Sequence, residues 1–249
     1  MYIAELKGKI PQEFEFKEDI LTSNVFSFFK YTARDIFFRG FLNFLEIKAD
    51  AADLEKAEFI FWPTFEDGTE PDLVILVADN YLLFEAKYTS GFGQETDLLR
   101  HQLEREYIQG RQQASVMGLN FHFFTITNDL FENEAKYPDI PRYLWQEVRF
   151  INWQNITYLI ESVLNSGQKL ENRERLMAVD LHELLVRKCL RTFEGTRLLE
   201  DLDPVSLPAK ILFYDVSSSR YYDEFLGFEK SLASLPGVDL PSSNIFLEI

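Results

Sequence analysis

The stretch "PDLVILVADNYLLFEAKY", residues 71–88, constrains the fold of this chain more than any other. Two apolar runs rich in Val, Ile, Leu and aromatic residues flank a polar pair, which is the pattern of a β-hairpin. With Asp79–Asn80 as a two-residue turn, Ala78 pairs with Tyr81, Val74 lies opposite Glu85 and Asp72 opposite Lys87. Side chains alternate along a strand, so Asp72, Glu85 and Lys87 share one face at one end of the hairpin. The other strand positions are apolar on both faces, so both strands belong in the middle of a sheet covered on each side.

Two carboxylates held together repel, and a divalent cation with hard oxygen ligands relieves the repulsion. The backbone carbonyl of Ala86, between Glu85 and Lys87, can add a ligand. Lys87 can then orient a bound water or offset charge growing on a phosphate under attack. The plain alternative is an ion pair closing a hairpin, which is common and worth little. It does not account for two acids facing one lysine between strands that are apolar on both sides.

Nothing in this chemistry needs histidine or cysteine. His101 and His182 lack HExxH spacing, and His122 alternates into a strand of phenylalanines as a packed core residue. The single cysteine, Cys189, excludes an internal disulfide and a cysteine-based metal cluster.

Leu21, Val25, Phe28, Phe29, Thr32 and Ile36 step at helical spacing and predict one amphipathic helix. "AEFIFWP" reads as a strand and "EDGTEPD" as a loop, while Leu99, Leu103, Tyr107, Ala114 and Met117 mark one face of a long helix over residues 96–117. "NFHFFTIT" and "QEVRFINW" predict two more strands, Ile156 to Leu164 and Arg173 to Leu190 two more helices, and "KILFYDV" a late strand. This order suits an α/β fold with a central mixed sheet flanked by helices. The expected division is an α/β core at residues 1–165 and a helical and irregular extension at 166–249 packed on it.

The formal net charge of −16 disfavours a protein that grips nucleic acid by a broad basic surface. It leaves room for a nuclease with an acidic metal pocket and basic groups confined to one groove. With 46% hydrophobic residues and 24 phenylalanines, the chain should be globular with an aromatic core, which disfavours an acidic DNA mimic. The first residues, "MYIAELKGKIPQEFEF", show no signal pattern, and no apolar run approaches the ~20 residues needed to cross a bilayer. A soluble cytoplasmic protein with no membrane partner is expected.

Pro71–Asp72 followed by Glu85–Ala86–Lys87 resembles the PD-(D/E)xK nuclease superfamily, the restriction-endonuclease-like fold. The hairpin followed by a long helix, with a helix ahead of it, is the core order of that family. "HQLEREY" resembles the glutamine- and tyrosine-bearing motif of its helicase-linked branch, although Tyr107 stands five residues beyond Gln102 and Glu106 occupies the usual fourth place. "EDILTSNVFSFF" and "DLHELLVRKCLRTFEG" resemble uncharacterised prokaryotic members, some linked to defence against foreign DNA. The resemblance is clearest over residues 18–127.

The resemblance implies a Mg²⁺-dependent nuclease, with Mn²⁺ as the alternative ion, in which Asp72 and Glu85 bind metal and Lys87 assists the water. Glu18, at the start of the first helix, would complete the metal site, although an acid there also favours the helix dipole. Gln102 would hydrogen-bond a phosphate or a base edge, while the polar strip it begins with Glu106, Gln109 and Gln113 reads as a solvated flank. Arg187, Lys188, Arg191 and Arg197 read as a solvated helix end, and Gly91 and Gly93 as a lip beside Lys87. DNA is the expected substrate, with RNA as the alternative, in defence or repair; a homodimer is compatible. The competing expectation is a catalytically silent relative that serves as an interaction subunit of a defence or repair complex.

Overall fold

A computed structural model describes residues 3–9, 11, 17–88, 101–129, 136–137, 140–191, 213–215 and 220–222. The chain forms two compact units, Met1–Phe193 and Glu194–Ile249. In the second, the described elements are the short antiparallel strands β6 (Phe213–Asp215) and β7 (Arg220–Tyr222); β6 falls within the strand expected from "KILFYDV".

In the first unit, β-branched and aromatic residues form strands β1 (Glu58–Phe61), β2 (Leu73–Val77), β3 (Asn80–Ala86), β4 (Asn120–Thr127) and β5 (Val148–Asn152). They make one sheet in the order β1-β2-β3-β4-β5. The first two pairings are antiparallel and the last two parallel, so the sheet is mixed. β2 and β3 lie inside it, as their apolar faces require.

The helices are α1 (Ile3–Leu6), α2 (Glu18–Tyr31), α3 (Arg39–Phe44), α4 (Ala51–Lys56), α5 (Gln102–Met117), α6 (Leu144–Glu147), α7 (Trp153–Asn165) and α8 (Asn172–Arg187). On one sheet face, α2, α3, α7 and α8 cover Leu73, Ile75, Leu82, Phe84 and Phe124. On the other, α5 covers Val74, Tyr81, Leu83 and Phe123 through Leu103, Tyr107 and Ala114. This is an α/β fold, a five-stranded mixed sheet between helical layers. The late helices α7 and α8 pack in the first unit, whose end at Phe193 lies well beyond residue 165.

Aromatic packing fills the larger core. Phe29 stacks on Phe41 at 4.9 Å between ring centroids, and Phe84 on Phe124 at 5.1 Å. The helix expected to run from Leu21 through Ile36 stops at Tyr31. Thr32 Oγ1 donates to Phe28 O at 2.7 Å, and a π-helical turn, Arg34–Phe38, follows before α3. The wider turn re-phases the chain so that Phe37, Phe38 and Phe41 all stay fully buried.

A buried carboxylate–lysine cluster as the candidate active site

Val77 pairs with Asn80, so the turn between β2 and β3 is Ala78–Asp79, one residue earlier than the expected Asp79–Asn80. Ala78 takes φ 49°, the left-handed conformation that primed hairpin turns need at this position. Asn80 is more useful as the first strand residue. Its amide donates to Val77 O at 3.3 Å, its Oδ1 meets His122 Nε2 at 3.1 Å, and Asp79 O accepts from Asn120 N at 2.8 Å. The expected oppositions are thereby corrected: Val74 faces Leu83, Leu73 faces Phe84, and the same register continued by one residue sets Asp72 opposite Glu85 rather than Lys87. An even displacement leaves every side chain on its original face. Asp72, Glu85 and Lys87 still share one.

That face is the α5 side of the sheet, and the three groups meet there. Asp72 Oδ2 accepts from Ala86 N at 2.7 Å. Lys87 Nζ donates to Glu85 Oε1 at 2.6 Å and to Glu18 Oε1 at 3.0 Å, while Glu18 Oε2 accepts from Tyr88 N at 2.8 Å. Gln102 Nε2 donates to Glu85 Oε1 at 2.5 Å and to Glu106 Oε1 at 2.8 Å. Glu18 and Gln102 are the first residues of α2 and α5, so two helix N-termini converge on the end of β3. Trp153 Nε1, donating to Lys87 O at 3.0 Å, pins the chain where it leaves the strand.

Asp72, Glu85, Lys87 and Glu106 are all buried, Glu106 completely. Burial pushes the Asp72 carboxyl up to about 8, helped by the Glu85 charge and opposed by the Ala86 N–H and Lys87. Burial likewise raises Glu85, against the pull of Lys87, and holds Glu106 well above the usual carboxylate range with Glu85 adding to the shift. For Lys87, burial works to lower the ammonium, but Glu85 and Glu18 outweigh it and the group is raised, so it keeps its proton.

Glu106 is the member that sequence reasoning placed on a solvated flank. Its position one turn after Gln102 on the same helix face was the available signal. Thr125, opposite Glu85 across β3 and β4, is a second: its buried Oγ1 and Glu106 Oε2 both lack a hydrogen-bond partner among the described residues. Tyr107 points elsewhere, its hydroxyl donating to Glu147 Oε2 at 2.9 Å and accepting from Arg111 at 2.6 Å.

The basic stretch is only in part the solvated helix end expected of it: Arg187 and Arg191 are exposed, but Lys188 is not. Lys188 is buried in an ion pair with Glu5 at 2.5 Å, and Arg187 donates to Leu6 O at 3.1 Å. His122 is half-buried rather than fully packed. Gly91, Gly93 and Arg197 lie outside the described residues.

Hard carboxylate oxygens and a net excess of buried acid over base among the described residues fit the chemistry of a small divalent cation. Among the same residues, no three His, Cys, Asp or Glu side chains are gathered as a ready metal cage. Among the described residues, no helix is long and apolar enough to cross a membrane.

No family model matches the chain, and no curated protein matches it. Among solved structures, it is similar to AF1548, a protein of unknown function, at 14% identity and TM-score 0.30, covering 62% of this chain and 96% of that one. It is also similar to the small subunit of the heterodimeric restriction endonuclease R.BspD6I, at 13% identity and TM-score 0.23, covering 57% and 77%. Both TM-scores are low, and the fold rests on the sheet topology itself.

Proposed function

We propose that this chain hydrolyses phosphodiester bonds of DNA with the help of Mg²⁺ or Mn²⁺, in defence against foreign DNA or in repair. The observation that carries the proposal is the buried meeting of Asp72, Glu85 and Lys87 at the end of two central strands. Asp72, Glu85 and the Ala86 carbonyl would hold the ion. Glu18 would join them by releasing Lys87 or the Tyr88 backbone. When bound, the ion would polarise the phosphate and lower the pKa of a coordinated water.

The chain's own groups divide the remaining work. Lys87 stays protonated, so it serves as a donor and a fixed positive charge at the phosphate rather than as a proton acceptor. Glu85 and Glu18 aim its ammonium from two sides. In the reaction, water oxygen bonds to phosphorus while the ester P–O bond breaks, and the leaving oxygen takes a proton.

Purified protein with Mn²⁺ should cut single- or double-stranded DNA. Asp72→Ala and Lys87→Ala should each lower the rate by at least about 100-fold with the circular dichroism spectrum unchanged. Absence of any cleavage by the wild type, or equal cleavage by Lys87→Ala, would reject the proposal.

One observation favours the silent-subunit reading. Lys87 and Gln102 already fill Glu85 Oε1, so the cluster is internally satisfied in part without an ion. Calorimetric titration with Mn²⁺ separates the two readings, because a scaffold would take up no divalent ion.

A further inference from the structure

We propose that Glu106 is a positioning residue which, through Gln102, locks the Glu85 carboxylate so that its Oε2 is the oxygen turned to a cation. The inference rests on the metal site proposed above and deepens it. Glu85 Oε1 receives two donors, Lys87 Nζ at 2.6 Å and Gln102 Nε2 at 2.5 Å, which use both of its lone pairs. The Gln102 nitrogen also donates to Glu106 Oε1 at 2.8 Å, so its two hydrogens bridge two carboxylates. Glu85 Oε1 also accepts from the Lys87 ammonium, so the amide presents nitrogen, not oxygen, to it.

This gives Gln102 a different task from reaching a phosphate or base edge, because its N–H groups are spent inside the protein. Glu106 makes the bridge rigid. It is fully buried and stands one helical turn from Gln102 on α5, a helix held close to β3 at Gly110. An apolar residue at position 106 would leave one amide hydrogen without a partner and free the amide to turn away from Glu85. A glutamine there would restore the acceptor.

The test is calorimetric Mn²⁺ binding to wild type, Gln102→Leu, Glu106→Leu, the double Leu variant and Glu106→Gln, each checked by thermal unfolding. Each single Leu variant should bind Mn²⁺ about 10–100-fold more weakly, the scale on which lost outer-sphere partners act. The double variant should be no worse than either single one, because the pair acts as a unit, and Glu106→Gln should recover most of the loss. In cleavage assays kcat should fall while KM for DNA holds, since neither group touches substrate.

Equal weakening by Glu106→Gln and Glu106→Leu would make Glu106 a direct ligand and overturn the inference. So would additive losses, or Leu variants that bind like wild type. A wild type that binds no divalent ion would overturn the metal site and the inference together. Should Glu106→Leu fail to fold, Gln102→Leu at the half-exposed helix start and Glu106→Gln carry the same comparison.

Discussion

Asp72 makes the protein sensitive to pH in a direction set by its surroundings. Its carboxyl is raised from 3.8 to about 8, so between those values the folded chain holds a proton that the unfolded chain has lost. Without metal, stability is therefore greatest below the lower value and declines as pH rises towards the upper one, by on the order of a few kcal/mol. Glu85 and Glu106 are raised too and act with the same sign. Urea unfolding of metal-free protein from pH 5 to 8 should show this decline, and Asp72→Asn should flatten it; a flat wild-type profile would contradict the assignment. At this scale the site was partly legible. Asp72, Glu85 and Lys87 share a face by parity alone, which survives the wrong turn assignment. Glu106 could be placed beside Gln102 one turn on, but its burial was not legible, because a polar helix strip looks the same whether it faces water or a buried acid.

Among the elements, α5 carries the tightest constraint. A Cβ on Gly110 would meet Leu83 Cδ1 at 2.5 Å and Phe121 Cε2 at 2.9 Å, so this helix sits so close to the sheet that any side chain there must displace Leu83 and Phe121. Gly110→Ala should destabilise by about 1–3 kcal/mol through overpacking, partly offset by better helix propensity. It should also weaken Mn²⁺ uptake, because Gln102 and Glu106 would be lifted from β3. Urea midpoints and calorimetry check the two effects; a more stable variant with unchanged binding would show that the contact yields. Strands and helices were readable as periodic patterns, but their ends were not. The turn at Ala78–Asp79 depends on partners far along the chain, Asn120 and His122.

For the molecule as a whole, the first unit closes on itself through a buried pair. Glu5 on α1 meets Lys188 beyond α8, and both side chains are almost wholly buried. Lys188→Met should cost about 3–5 kcal/mol by stranding the Glu5 charge, while adding Glu5→Leu should return most of it. Denaturant unfolding measures both, and a small loss in the single variant would mean that water reaches Glu5. The division at Phe193 carries its own prediction. A chain ending there should unfold cooperatively and bind Mn²⁺ as the full chain does, since the described groups of the cluster, Thr125 included, lie within residues 18–125. Loss of folding would assign residues 194–249 to the core.

Local order along the chain was enough to determine the five strands of the main sheet, the long helices, the central hairpin and the common face of Asp72, Glu85 and Lys87, but not short helices such as Arg39–Phe44 and Ala51–Lys56. These follow from periodicity and alternation, which involve only neighbours in sequence. Tertiary structure decided the hairpin register, the burial of Glu106 and Lys188 and the convergence of two helix starts on β3. Each of those depends on which distant surfaces exclude water together, and no spacing along a single chain encodes that.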